Sequence, residues 1–290
     1  MISTPATARS SVPFLCDTRV RVTRLFKLGG ALRPAVGLVE SSETLAPGSR
    51  VYLPAELPCA RCDTCRSGLR THCPHRRRDL LDPGSFDGFI EAPGRALLGV
   101  PSDLGDDAAA FAGEVARAIH AGQRLHIEGR AYVTVLGDSA IALIAAQLLV
   151  RMNATVRCLG EHPELYSLCE KWGIAHRHID EVGRRGDQDA VIDCTGTREG
   201  FDLATRLVRP RGRLVLMPER FGAAPPVLEA EPVVRLELDV FGVRAGDEAE
   251  ALHALAGRRV EVASLVGRRA RLGDAAGAPE SGGLRTLIEG

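Results

Sequence analysis

Cys59, Cys62, Cys65 and Cys73 stand in the order C-x2-C-x2-C-x7-C, and nothing else in the chain narrows its folding as much. Cysteines separated by two residues on a tight turn aim their sulfurs at one point, and four thiolates complete the tetrahedral shell of a zinc ion. The start of the chain, Met1 to Pro13, lacks the basic-then-apolar order of an export signal, so a reducing compartment is expected and disulfides are disfavoured. Pro74 follows the last cysteine as in bacterial ferredoxins, but the final gap is seven residues rather than the three of an iron–sulfur motif. The spacing therefore predicts a structural Cys₄ zinc site, closed to water and substrate, that organises a loop rather than performing chemistry. His72 and His75 flank Cys73 and are read as exposed loop residues. Cys16, Cys158, Cys169 and Cys194 are scattered among apolar neighbours and read as small buried hydrophobes.

The 290 residues are 45% hydrophobic and 26% charged, enough apolar material for one large domain or two ordinary ones. Acidic and basic residues balance at 37 each, so no general attraction to nucleic acid or to an anionic membrane is expected. No apolar run approaches the ~20 residues that span a bilayer. A soluble cytoplasmic protein is the expectation. Lys27 and Lys171 are the only lysines, and neither stands in a motif suited to Schiff-base chemistry.

From the middle of the chain onward, short β-branched runs alternate with helical stretches. Tyr132 to Leu136 reads as a strand, followed by the turn Gly137-Asp138-Ser139-Ala140-Ile141-Ala142 and a helix from Leu143 to Met152. Ala154 to Leu159 is a second strand, and Pro163 to Trp172 a helix ending at Gly173. Ala190 to Cys194 and Gly212 to Met217 are further strands. This alternation predicts a parallel, doubly wound sheet of the Rossmann type. The turn after the first strand is where a dinucleotide pyrophosphate sits, on the N-terminus of the next helix. Gly137 supplies the first glycine of the fingerprint, Ser139 stands at the second and Ala142 at the third. Ser139 either hinders the close backbone approach or offers its hydroxyl to a phosphate oxygen. About 20 residues on, where an acidic residue holds the ribose of NAD, the chain reads Gly160-Glu161-His162. Either Glu161 holds the ribose diol, or Gly160 occupies the acidic position and His162 faces the 2′-phosphate of NADP. NAD and NADP both remain open.

These pieces in this order resemble the medium-chain, zinc-containing alcohol dehydrogenase family. The resemblance rests on Cys59–Cys73, on Gly84-Ser85-Phe86-Asp87-Gly88-Phe89 and on the Val135-Leu136-Gly137-Asp138 turn. It extends through Asp193-Cys194-Thr195-Gly196, Arg209-Pro210-Arg211-Gly212 and the closing Gly283-Leu284-Arg285-Thr286-Leu287-Ile288, covering Val20 to the end. It implies an α/β protein with a GroES-like β-barrel lobe and a Rossmann lobe, hydride transfer between an alcohol or carbonyl and NAD or NADP, and a homodimer. It also implies a place for Thr195 and Gly196 at the cofactor. The domain reading is a flexible leader over 1–17, a GroES-like substrate lobe with the zinc loop over 18–116 completed by 247–290, and a Rossmann lobe over 117–246. A helix over Glu114 to Ala121 leads into the Rossmann lobe, and another runs from Asp247 to Ala256.

The family's catalytic-zinc ligands are not matched. Arg21 to Gly30 contains no cysteine, Arg33 and Pro34 replace the histidine and glutamate of the G-H-E segment, and Glu114 is displaced by one from the third position. Arginine does not bind metal, so no catalytic zinc is expected. Cys16, His120 and Glu114 share no spacing that would rebuild a site, and His120 reads as a packed interlobe histidine. Two functional expectations follow. One is an NAD(P)-dependent oxidoreductase without catalytic zinc, acting on a small carbonyl, alcohol or enone, with Arg33 as the weak candidate for stabilising an oxyanion. The other is a catalytically inactive scaffold or nucleotide-sensing partner that keeps the structural zinc.

Overall fold

The computed structural model describes residues 16–28, 31–77, 86–183, 185–219, 229–279 and 284–290. Positions 1–15 of the leader read over 1–17, Gly84 and Ser85 of the Gly84–Phe89 segment, Arg184, and positions 280–283 lie outside them.

The first part is strand-rich. β1 (Thr18–Leu28), β2 (Ala31–Ser42) and β3 (Arg50–Tyr52) are followed by the short α1 (Asp63–Arg66) within the cysteine loop, then β4 (Phe89–Ala92) and β5 (Leu98–Gly99). Alternating apolar residues on β1 and β2, among them Val20, Val22, Leu25 and Val39, are buried in one core. Two helices, α2 (Asp106–Ala109) and α3 (Ala112–Leu125), lead into the second part. The helix expected over Glu114 to Ala121 extends further at both ends because Val115, Ala118, Ala121 and Leu125 form one continuous buried face.

The second part alternates as its sequence predicts. In order come β6 (Tyr132–Leu136), α4 (Ala140–Arg151), β7 (Thr155–Gly160), α5 (Tyr166–Lys171), β8 (Ala175–His178), β9 (Gln188–Asp193), α6 (Arg198–Leu207), β10 (Val208–Leu216), α7 (Ala230–Arg235) and β11 (Asp239–Gly242). All five strand pairings are parallel, in the order β11-β10-β9-β6-β7-β8. That is the doubly wound arrangement, whose chain reverses direction across the sheet between β6 and β9. α4 is buried from Ala140 to Leu149 on all sides, which explains why its sequence is apolar without a polar face. The helix expected from Pro163 is split: Pro163–Leu165 is a single 3₁₀ turn, and only Tyr166–Lys171 is α-helical.

After α8 (Glu248–Ala256), the chain returns to the first sheet through β12 (Val266–Arg271) and β13 (Arg285–Glu289). β13 lies antiparallel to β1, with Arg24 opposite Glu289 and Lys27 opposite Thr286. The Lys27 ammonium donates to the carbonyls of Ala275 and Ala276, at 2.9 and 2.7 Å, tying the returning segment down. Among the described residues no helix is long and apolar enough to cross a membrane.

The start of α8 carries a testable electrostatic cost. Asp247 caps it, its Oδ1 accepting from the N–H groups of Ala249 and Glu250. Burial pushes the Glu248 carboxyl up to about 7, its own backbone N–H opposing and the Asp247 charge adding. A carboxyl raised in the folded state binds more protons there than in the unfolded chain, so its ionisation opposes folding above its unfolded pKa of roughly 4.3. E248Q is expected to match the wild type near pH 4 and to exceed it by about 2–3 kcal/mol at pH 8. Urea unfolding at the two pH values measures this, and an advantage that does not grow with pH would contradict it.

Candidate functional site

The four cysteines converge. Their Sγ atoms all lie within 4.8 Å of one another, with separations of 3.5 Å for Cys62–Cys65, 3.6 Å for Cys59–Cys73, 3.8 Å for Cys62–Cys73 and 4.0 Å for Cys59–Cys65. A tetrahedron with metal–sulfur bonds of about 2.3 Å has edges of about 3.8 Å, so the donor set fits zinc. These spacings are far too long for disulfides, and all eight cysteines are free. The backbone N–H groups of Cys59 and Cys62 each approach a sulfur at 3.4 Å, as thiolate ligands require. His72 is exposed, whereas His75 is half-buried.

Among the described residues this is the one cluster with metal-ligating geometry. Cys16, His120 and Glu114 do not meet. Cys16 is half-buried, not the buried hydrophobe its sequence suggests, because the Arg77 guanidinium donates to its sulfur at 3.1 Å. His120 faces Arg124 and His72 and is held below its ordinary pKa by burial and by those charges. Glu114 accepts from Arg285 Nε at 3.1 Å. The same guanidinium reaches Glu219, so a buried arginine is clamped between α3 and the residues after β10. Arg33 is exposed on β2 opposite Phe26.

A second site lies at the carboxyl ends of β6, β7 and β9, where the sheet reverses. A cavity of about 700 Å³ is lined there by Gly137, Ser139, Gly160, Glu161, His162 and Thr195. Six of the eight residues that the sequence suggested for a cofactor thus share one cavity. Ala142 is fully buried inside α4, and Gly196 is buried in the turn, away from the lining. Gly137 adopts φ +95°, a left-handed conformation that costs other residues roughly 1–2 kcal/mol. Ser139 is extended, at φ −66° and ψ 163°, and caps α4 without a side-chain cap bond. The second fingerprint position therefore needs no glycine for its backbone. The Ser139 hydroxyl oxygen is buried and has no partner, beside the free N–H groups of a twelve-residue helix.

The opposite lip is built by the stretch after β9. Thr195 donates from N–H and Oγ1 to Asp193 Oδ1, at 2.8 and 2.6 Å. Its hydroxyl in turn accepts from Thr197.

Asp138, which sequence reasoning passed over, is the most engaged residue of the cavity wall. His162 donates its backbone N–H to Asp138 Oδ2 at 2.8 Å, and His162 Nδ1 lies 2.9 Å from Oδ1. His176 Nε2 stands 3.7 Å from Oδ2, with its ring against Tyr166. Burial raises the Asp138 carboxyl, but the facing His176 and His162 outweigh it and bring it down to about 2. The same contact raises His162. The signal was present in the sequence as an acidic residue directly after the first fingerprint glycine, paired with a glycine where the acid normally stands.

The two sheets and the cysteine loop define an α/β protein with the architecture of the medium-chain, zinc-containing dehydrogenases. No family model matches the chain. In sequence it is 29% identical over 167 residues, 57% of its length, to an L-threonine 3-dehydrogenase from Anaeromyxobacter dehalogenans (strain 2CP-C), covering 47% of that protein. The chain spans about half the length of the curated relatives it matches. In structure it is similar to a zinc-binding dehydrogenase from Sinorhizobium meliloti 1021 bound to NADP, with a TM-score of 0.77, 21% identity and coverage of 96% of this chain and 93% of that one. It is also similar to a protein described as a short chain alcohol dehydrogenase from Escherichia coli CFT073, complexed with NADH, with a TM-score of 0.80, 17% identity and coverage of 100% of this chain and 94% of that one. The likeness to these structures is one of fold, over nearly the whole of each chain.

Proposed function

We propose that the chain is an NAD(P)-dependent oxidoreductase acting on a small alcohol, carbonyl or enone, with a structural zinc at Cys59, Cys62, Cys65 and Cys73. The observation that carries this reading is the cavity at the sheet reversal. It presents the left-handed Gly137, the partnerless Ser139 hydroxyl and the N-terminus of α4 to one point, the chemistry a pyrophosphate needs. A bound dinucleotide would supply or accept the hydride. Gly137 and Ser139 would receive its phosphates, Gly160, Glu161 and His162 would border the adenosine ribose, and Thr195 would border the opposite side.

The division that serves this reading is a substrate lobe over 18–116 and 247–290 and a dinucleotide lobe over 117–246. A homodimer and a cytoplasmic location complete the proposal. Calorimetric titration with NADH and NADPH tests it: saturable micromolar binding of either is expected, and binding of neither would sink it. S139A is expected to fold normally and to bind dinucleotide about tenfold more weakly, the worth of one hydrogen bond to a charged group. Unchanged affinity would place the phosphates elsewhere.

One observation favours the second reading, a nucleotide-binding scaffold without turnover. Glu114 is locked to Arg285 and Arg33 points to solvent, so neither lines the cavity. Dinucleotide binding without oxidation or reduction across an alcohol, aldehyde and enone panel would support that reading.

A further inference from the structure

The dinucleotide reading leaves the choice between NAD and NADP open, and the wall of the cavity bears on it. In a doubly wound sheet the group that reads the adenosine ribose stands at the end of the second strand. Here that position is Gly160, the last residue of β7. A Cβ built on Gly160 would lie 2.1 Å from Asp138 Oδ2 and 2.6 Å from Asp138 Cβ. The space that a strand-end side chain would enter is therefore filled by a carboxylate arriving from the turn. An acid from the turn thus stands nearly where a strand-end side chain would, and a glycine at 160 is what makes room for it.

Resting on the dinucleotide reading, we propose that Asp138 is the residue that reads the ribose, and that it selects NAD over NADP. Each carboxylate oxygen accepts along two directions. His162 takes one on each oxygen through its N–H and Nδ1, His176 Nε2 faces Oδ2 from 3.7 Å, and the second direction on Oδ1 is left for a hydroxyl of the ribose. A 2′-phosphate would instead bring two negative charges against a carboxylate. The surroundings offer little relief: Glu161 and Asp180 also line the cavity, and of the two basic residues lining it among the described residues His162 is committed to Asp138, leaving Arg206. Like charges placed together disfavour the wrong ligand strongly. The 94% buried Asp138 side chain, braced by two histidines, cannot swing away to admit a phosphate.

The test is the ratio of the two affinities, measured by titrating wild type, D138N, D138G and the exchange variant D138G/G160D with NADH and with NADPH. The wild type is expected to prefer NADH by on the order of 100-fold. D138N and D138G should reduce that preference to less than about tenfold, mainly by losing NADH. D138G/G160D, which returns the acid to the strand end, should recover most of it, a rescue that a purely structural role for Asp138 would not produce. Equal or tighter binding of NADPH by the wild type overturns the inference while leaving the dinucleotide reading intact, as does an unchanged ratio in D138N and D138G. If those two variants do not fold, the exchange variant decides alone: it must prefer NADH. Binding of neither dinucleotide by the wild type overturns the dinucleotide reading and this inference with it.

Discussion

C73S is expected to leave the chain without zinc and to lower its melting temperature by about 10 °C or more. The reason is what the cysteine loop lacks. Its buried cluster consists of Cys59, Cys65 and Cys73 with Cys62 packed against them, and no aliphatic or aromatic side chain joins it. Leu69, the large hydrophobe nearest at hand, is 55% exposed. The loop closes on itself through the isolated bridge between Leu57 and Arg77, and its two helical turns, α1 and the 3₁₀ turn Arg70–His72, are four and three residues long. Such a segment buries too little apolar surface to offset its own ordering entropy. Arg70 and Arg244 tie its rim to the rest of the chain through the carbonyls of Arg95 and Thr71, and metal–thiolate bonds are the main source of free energy at its centre, where small Cys₄ units draw on the order of 10 kcal/mol from them. Serine is nearly isosteric with cysteine and does not replace a thiolate at zinc, so the variant isolates the metal. A net loss of about 3–5 kcal/mol would correspond to the stated shift. Elemental analysis should find one zinc per wild-type chain and none in C73S, and trypsin should cut the variant first at Arg61, Arg66 or Arg70. A C73S protein that melts like the wild type would show that the loop is held by something other than metal.

The legibility of the sequence followed the range of the interactions. The cysteine site was readable because ligand spacing is a local property, and the structure brings the four sulfurs to tetrahedral distances without help from distant residues. Four of the six parallel strands were readable because burial on both faces writes itself as β-branched runs, of which Tyr132–Leu136 and Gln188–Asp193 are the plainest; the edge strands β8 and β11, half-buried to exposed along their length, carry no such run and were not. Asp138 was legible only as an acid beside the first fingerprint glycine, and its contacts were not. Its partners His162, two residues past β7, and His176, on β8, meet it only because β6, β7 and β8 are neighbours in that order. The role of Ser139 was half-legible: its position in the fingerprint was plain, but its extended backbone and partnerless hydroxyl were not. Cys16 misled because its apolar sequence neighbours gave no hint of the Arg77 guanidinium, which comes from the far side of the cysteine loop.

The last such long-range feature carries the second large effect: R285M is expected to destabilise the protein by about 3–5 kcal/mol. Arg285 is 2% exposed on β13, yet its guanidinium spans from the returning strand to Glu114 on α3 and to Glu219 beyond β10. Glu114 and Glu219 are themselves only 17% and 16% exposed. Desolvating three charges is costly, so the cluster as a whole need not stabilise the fold, but deleting its one bridging cation strands two carboxylates in each other's field. Methionine keeps the length and the packing, so the loss would report charge rather than volume. Two comparisons separate these terms. The deficit should narrow in acid, below about pH 4.5, where carboxylates take up protons. The neutral variant E114Q/R285M/E219Q should regain much of the lost stability, since both stranded carboxylates are then neutral, less what Arg117 loses with the Glu114 charge that faces it. Glu219 also lines the cavity at the sheet reversal, so freeing its charge in R285M should weaken binding of the dinucleotide proposed for that cavity beyond what the stability loss explains, and the neutral triple variant should reverse that as well. An R285M protein within about 1 kcal/mol of the wild type would mean that water reaches these carboxylates in solution. In that case the contact between the returning strand and the second sheet would have to be held by packing alone.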